Sequence, residues 1–222
     1  ARGGGHSVTL TADFELEVTG DKAVARFPLA AGQEAVFVMA YGYDRPRRVA
    51  SYRSRQQLDL TKAYWKSVAG QVTYRGLWRE QVIRSFLVLQ LMRYRRTGAI
   101  IAAPTTSLPE EIGGTRNWDY RYAWLRDSSF TVDVFHRMGD SDAGVRYVNW
   151  LVERCKATNG NTRIVYGVAG NSSLKELTLD HLEGYGGSRP VRVGNRAARH
   201  LQLDVFGEVI LTVHSLHRLQ GW

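Results

Sequence analysis

The chain has 222 residues, 30 Lys plus Arg against 21 Asp plus Glu, and a formal net charge of +9. Its 44% hydrophobic content lies close to the globular norm of about 45–50%, which excludes wholesale disorder. The longest largely apolar run, Ser85 to Met92, falls far short of the roughly 18 residues a membrane helix needs, so no membrane partner is expected. The one cysteine, Cys155, can neither close an intramolecular disulfide nor lead a cysteine-based zinc cluster. The chain opens at Ala1 without a signal-peptide pattern, from which a processed or truncated start and a cytoplasmic location are expected.

The basic balance is local. Between Arg45 and Arg96 there are 13 cations and two anions, Asp59 and Glu80, so this stretch carries more than the whole net charge. A basic segment can serve a polyanion. Here, however, the arginines fall within amphipathic helical patterns and are not interleaved with aromatics as a base-stacking surface would be. The expectation is a solvated or salt-bridged face and no nucleic-acid partner.

In chain order, Val8, Leu10, Ala12, Phe14, Leu16 and Val18 alternate with polar residues, the period of a half-buried strand. Gly20 and Asp21 break that pattern, and Ala23–Phe27 and Ala35–Ala40 supply two further strands. Three strands with one apolar face need a second sheet to cover it, which predicts part of a β-sandwich over residues 1–50. The character of the chain changes near Asp44, and Gln56–Ala69 reads as a connecting helix within a linker over 51–74. From Gly76 to Arg96, apolar residues cover more than one face, which predicts an interior helix stopped by Gly98. Helical spacing returns at Ser128–Met138 and Ala143–Lys156, with Gly139-Asp140-Ser141 as break and cap between them. A glycine-bearing loop region follows over Gly160–Pro190, then a helix from about Asn195 to Leu219 with Ala198, Leu201, Val205, Val209, Val213 and Leu216 on one stripe.

The chemistry concentrates between Ala103 and Asp127. The thirteen residues from Thr115 to Asp127 include Trp118, Tyr120, Tyr122 and Trp124, three arginines and two aspartates. Aromatic rings cover the apolar C–H face of a pyranose, while Asp and Arg take its hydroxyls in charge-assisted hydrogen bonds. The same composition also suits a protein interface, and Asp127 also reads as a helix N-cap.

Pro104-Thr-Thr-Ser-Leu-Pro-Glu110, Arg116-Asn-Trp-Asp-Tyr-Arg-Tyr122 and Trp124-Leu-Arg-Asp127 resemble glycoside hydrolase family 15, the prokaryotic glucoamylase, glucodextranase and trehalase-like group. The resemblance continues through Tyr74-Arg-Gly76 to Arg84, His181–Tyr185, Ser188-Arg-Pro-Val-Arg192 and Leu201–Val209. It implies an α+β multidomain fold, a partial β-sandwich followed by part of an (α/α)6 barrel, with the barrel beginning in 75–222. Only four or five of the barrel's twelve helices fit, so the chain is expected to be a fragment.

The resemblance further implies inverting hydrolysis of terminal α-glucosidic bonds in glucan oligosaccharides or trehalose. One carboxylic acid would protonate the leaving oxygen and a second carboxylate would activate water, about 6.5–9.5 Å apart. By family position both fall beyond Trp222, so no catalytic residue is assigned. The substrate-binding residues it implies are Arg126 and Asp127 on the terminal glucose hydroxyls, Tyr120 near the ring oxygen, Trp124 as a wall, and Arg189 from a second loop. Trp118 and Asp119 touch the sugar or support those that do. Gly187 and Ser188 stand near where fungal relatives carry a Trp, so the subsites beyond the terminal glucose are expected to differ. The alternative is a non-catalytic carbohydrate-binding or regulatory protein of the same fold.

The remaining candidates have plainer readings. Glu110 and Glu111 read as loop caps. Asp204 and Glu208, four apart, share one helical face and cannot stand across a sugar from each other, so they are structural or line the substrate rim. His200, His214 and His217 have no completing ligand at a recognisable spacing, so neither metal nor cofactor is expected. The sequence does not specify an oligomeric state.

Overall fold

The computed structural model describes residues 1–3, 5–42 and 45–220. They fall into two compact units, Ala1–Ser67 and Val68–Trp222. The strands are β1 (Arg2–Gly3), β2 (His6–Ala12), β3 (Glu17–Thr19), β4 (Lys22–Val24), β5 (Phe37–Tyr41), β6 (Ala123–Trp124), β7 (Val165–Tyr166), β8 (Leu177–Thr178) and β9 (Arg192–Val193). The helices are α1 (Ser54–Gln71), α2 (Arg79–Met92), α3 (Leu125–Arg137), α4 (Ser141–Ala157) and α5 (Asp204–Gln220). Helix and sheet are thus mixed, as an α+β chain requires. The change of character expected near Asp44 lies outside the described residues.

In the first unit, β1, β2 and β5 form an antiparallel sheet in which Leu10 faces Met39 and Ala12 faces Phe37. The long strand expected from Val8 to Val18 is instead two pieces. Asp13 ends the first: both its carboxylate oxygens accept from the Val36 backbone N–H at 3.1 Å, replacing a ladder bond with a side-chain bond. The strand expected over Ala23–Phe27 shortens to β4, paired only with β3, and Phe27 leaves the ladder to pack on Phe14 at 4.4 Å between ring centroids. The apolar face of the larger sheet, carrying Leu10, Phe37, Met39 and Tyr41, is exposed.

The second unit holds the core. α3 packs against both α4 and α5, and Leu125, Val132, Phe135, Tyr147, Leu151, Val205 and Leu216 are buried among them. Phe86 of α2 meets Phe135 edge-on at 5.7 Å. Asp140 performs the capping role expected of the Gly139–Ser141 break. One oxygen accepts from Ala143 N–H at 3.2 Å, capping α4, and the other accepts from Gln90 at 2.6 Å, joining α4 to α2.

Expectations for three of the helices are corrected. The apolar helix over Gly76–Arg96 is shorter: Trp78 precedes it in the left-handed region, and Arg93 turns extended after Met92. The chain then pairs Arg93 with Ile100, and Gly98 serves that tight return with φ of 88° rather than stopping the helix. Nor is α2 buried on all sides, because only Phe86 and Gln90 are buried while Leu91 is exposed. The last helix begins at Asp204, not Asn195. Asn195 caps a separate short 3-10 turn, Arg196–Arg199, by accepting from Ala197 N–H, after which His200 runs extended and leaves Leu201 exposed. Asp127 is not a cap either: α3 starts two residues earlier, placing Asp127 in its first turn.

Candidate functional site

The aromatic loop is held on both flanks. Ala102 and Ala103 donate to the carbonyls of Tyr122 and Tyr120, and Ser107 N–H donates to the Trp118 carbonyl, an irregular ladder that keeps 118–122 extended. Extended backbone alternates side chains, so Trp118 and Tyr120 share one side and Asp119 takes the other. Asp119 is buried and saturated. Arg121 donates to its two oxygens at 2.9 and 2.8 Å, and Gly194 N–H adds a third bond at 3.0 Å. Burial pushes its carboxyl up, but the bonds and charge of Arg121 with the Gly194 bond outweigh this and hold it below the usual carboxylate range. Asp119 therefore stitches loops together rather than facing a ligand.

β6 pairs with β7, placing Trp124 opposite Val165, and Leu125 N–H bonds the Ile164 carbonyl at 3.0 Å. This ribbon delivers Arg126 and Asp127 into the first turn of α3, where an acidic side chain is favoured by the helix dipole. Arg126 donates to Gln202 at 3.0 Å and Asp204 at 3.1 Å and lies 3.6 Å from Asp127. Asp204, read from the sequence as structural or rim, is therefore the partner that orients this arginine. Asp127 Oδ2 is buried without a hydrogen bond among the described residues.

Trp118, Tyr120 and Trp124 line one side of a cavity of about 370 Å³. Glu176, Arg192, Asn195, Arg196 and His200 also line it. The Tyr120 hydroxyl is pushed up by burial first, then by the charges of Glu110 and Asp127. It stays a neutral donor, and Asp127 is near enough to act on it. Arg192 stacks on Trp118 at 4.5 Å from the ring centroid. Thr106 and Ser107, from the Pro-Thr-Thr-Ser stretch, fix that arginine's backbone by donating to its carbonyl at 2.6 and 2.8 Å.

Of the residues singled out from the sequence, the fold thus brings Trp118, Tyr120 and Trp124 to one cavity, while Arg126 and Asp127, in the first turn of α3, are not part of its lining. Arg189 is exposed and outside the lining, where Arg192 stands instead. Glu176, Asn195 and Arg196 were not anticipated. Arg192 lay within a quoted motif, but Glu176 and Arg196 sit in runs with no local pattern to mark them.

Residues 76–220 match the family model for glycosyl hydrolases family 15. The chain belongs to that family. Among curated relatives, it is 34% identical to a trehalase of Thermoplasma acidophilum over 96% of this chain and 36% of the relative. It is 33% identical to a trehalase of Thermoplasma volcanium over 97% of this chain and 34% of the relative. A trehalase of Mycolicibacterium smegmatis is 35% identical over 94% and 32% of the two chains. The chain spans about a third of the length of these relatives. No solved structure matches it. Among the described residues, no helix is long and apolar enough to cross a membrane, and no group of three or more His, Cys, Asp or Glu side chains is arranged to hold a metal ion.

Proposed function

We propose that the protein carrying this chain hydrolyses terminal α-glucosidic bonds with inversion, with trehalose as the first substrate to test, and that this chain supplies the terminal-glucose subsite. The observation that carries this reading is the aromatic cavity of Trp118, Tyr120 and Trp124, followed directly in the chain by the Arg126–Asp127 ion pair in the first turn of α3. Rings of this kind receive the C–H face of a pyranose. Asp127 would accept from its hydroxyls, held in place by Arg126, which Asp204 in turn orients. Tyr120, kept neutral, would offer its hydroxyl near the reacting carbon.

In this reading, residues 1–50 are the end of a β-sandwich, 51–74 a linker helix and 75–222 the first helices of an (α/α)6 barrel. The catalytic acid and base come from elsewhere in the polypeptide. The carboxylate on the cavity wall, Glu176, is engaged by Arg192 and Arg196 and is poorly suited to exchange a proton. The same engagement favours a second reading, a site that binds sugar without cleaving it.

The complete polypeptide should be assayed on trehalose and maltose, with proton NMR of the first product. β-Glucose should be released first, and Asp127→Ala should lower kcat/KM at least about a hundredfold, the loss expected when a charged hydrogen bond is removed from a desolvated site. α-Glucose as first product would sink the inverting assignment. Sugar binding without turnover would establish the second reading.

A further inference from the structure

The rest of the cavity lining, next to the aromatics, carries charge. Glu176 Oε1 lies 3.7 Å from Arg192 Nε and 3.5 Å from Arg196 Nη2, and its Oε2 accepts from the Arg196 backbone N–H at 3.3 Å. The two arginines are used differently. Arg192 is largely buried, donates from Nη1 to the carbonyls of Thr115 at 2.8 Å and Asn117 at 3.4 Å, and stacks on Trp118. Its guanidinium is thus committed to the scaffold.

Arg196 is held at one nitrogen and one backbone group, yet its side chain is 77% exposed while Glu176 is only 11% exposed. A buried carboxylate gripping a solvent-facing arginine, with two guanidinium groups to one acid, leaves donors over at the mouth of a sugar-sized space. A guanidinium fork presents paired N–H groups, a match for adjacent hydroxyls on a pyranose ring.

We propose that Arg196 is a specificity-determining residue that donates hydrogen bonds to the hydroxyls of the second sugar unit, lodged beside Trp118, and that Glu176 is the positioning residue that aims it. This rests on the glycosidase reading and deepens it. Tyr120, Trp124 and Asp127 take the terminal glucose, and the wall of Glu176, Arg192 and Arg196 takes the unit it is linked to. Discrimination among α-glucosides then depends on where the hydroxyls of that second unit fall relative to Arg196.

The test is steady-state kinetics of the complete polypeptide on trehalose and maltose, with free glucose as a competing ligand for the terminal subsite. Because Arg196 is mostly exposed, Arg196→Ala should fold. Its KM for the better disaccharide should rise about tenfold, the scale of one charged hydrogen bond, with kcat nearly unchanged and inhibition by glucose unaltered. Arg196→Lys should recover part of the loss, and Glu176→Gln should raise KM in the same direction. An unchanged KM in Arg196→Ala, with active wild type, overturns the proposal and leaves the hydrolase reading standing. Equal weakening of glucose and disaccharide overturns the assignment to the second unit. Wild-type protein without turnover on either sugar removes the hydrolase reading and this proposal with it. If Glu176→Gln fails to fold, the Arg196 variants decide alone.

Discussion

Gly194 shows how closely single residues set this site. It adopts φ of 81°, and a Cβ there would collide with the backbone carbonyl of Lys175, which cannot swing aside as a side chain would. Its N–H also holds Asp119. Gly194→Ala should therefore destabilise the second unit by about 2–4 kcal/mol, combining left-handed strain with a backbone clash, measurable as a lower urea midpoint at unchanged m-value. Asp119 itself makes a pH prediction. Because its carboxyl is held below the ordinary value of 3.8 in the folded protein, its stabilisation is fully present above that value. It is lost as pH falls through the lower folded one. Asp119→Asn should cost about 1–3 kcal/mol at neutral pH. The gap between wild type and variant should narrow in urea titrations carried below pH 4, and a gap that widens on acidification would contradict the assigned direction.

At the scale of elements, Asp140 joins two helices through one carboxylate. Asp140→Ala removes the α4 cap, about 1 kcal/mol, and strips the buried Gln90 amide of its acceptor, about 1–3 kcal/mol more. Asp140→Asn keeps one acceptor for the cap but turns an amide N–H2 toward the Gln90 and Arg93 donors, so it should recover only the capping part, about 1 kcal/mol, and thermal melts should place it between wild type and Asp140→Ala. This helix junction was legible in the sequence because capping is local: a Gly-Asp-Ser break between two periodic segments carries its own signal. The site's aromatic half was legible for a related reason, since Trp118, Tyr120, Trp124, Arg126 and Asp127 lie within ten residues of one another. Its charged half was not. Glu176 and Arg196 meet across twenty residues of loop, through an approach set by β8 pairing with β9 and by the turn that Asn195 caps. The same tertiary bond from Asn195 to the Asp119 carbonyl, 3.0 Å, interrupts what periodicity alone reads as one long final helix. Burial was the other illegible quantity. Apolar periodicity in α2 and β2 marks a face that can be covered, and Leu10 and Leu91 carry that pattern while remaining exposed.

Across the whole molecule, that exposed apolar surface is the feature with consequences. In the first unit, Phe37, Met39 and Tyr41 project from one face of a sheet, and Met39 is 74% exposed. In the second unit, α5 presents Phe206, Ile210 and Leu211 in the same condition. Isolated apolar side chains on a surface are ordinary, but contiguous ones mark contact surfaces or aggregation liabilities. In the family 15 reading, both faces are covered by further polypeptide of the kind that the longer relatives carry. The 222-residue chain prepared by itself should then self-associate and bind an apolar dye, whereas the complete polypeptide should do so far less. Sedimentation velocity over a concentration series reads the first expectation directly. Two double variants, one replacing Phe37 and Met39 with Thr and one replacing Ile210 and Leu211 with Ser, locate the responsible face. If the isolated chain stays monomeric and dye-silent at every concentration, these residues are tolerated surface, and the proposal that the rest of the polypeptide covers them loses its physical support.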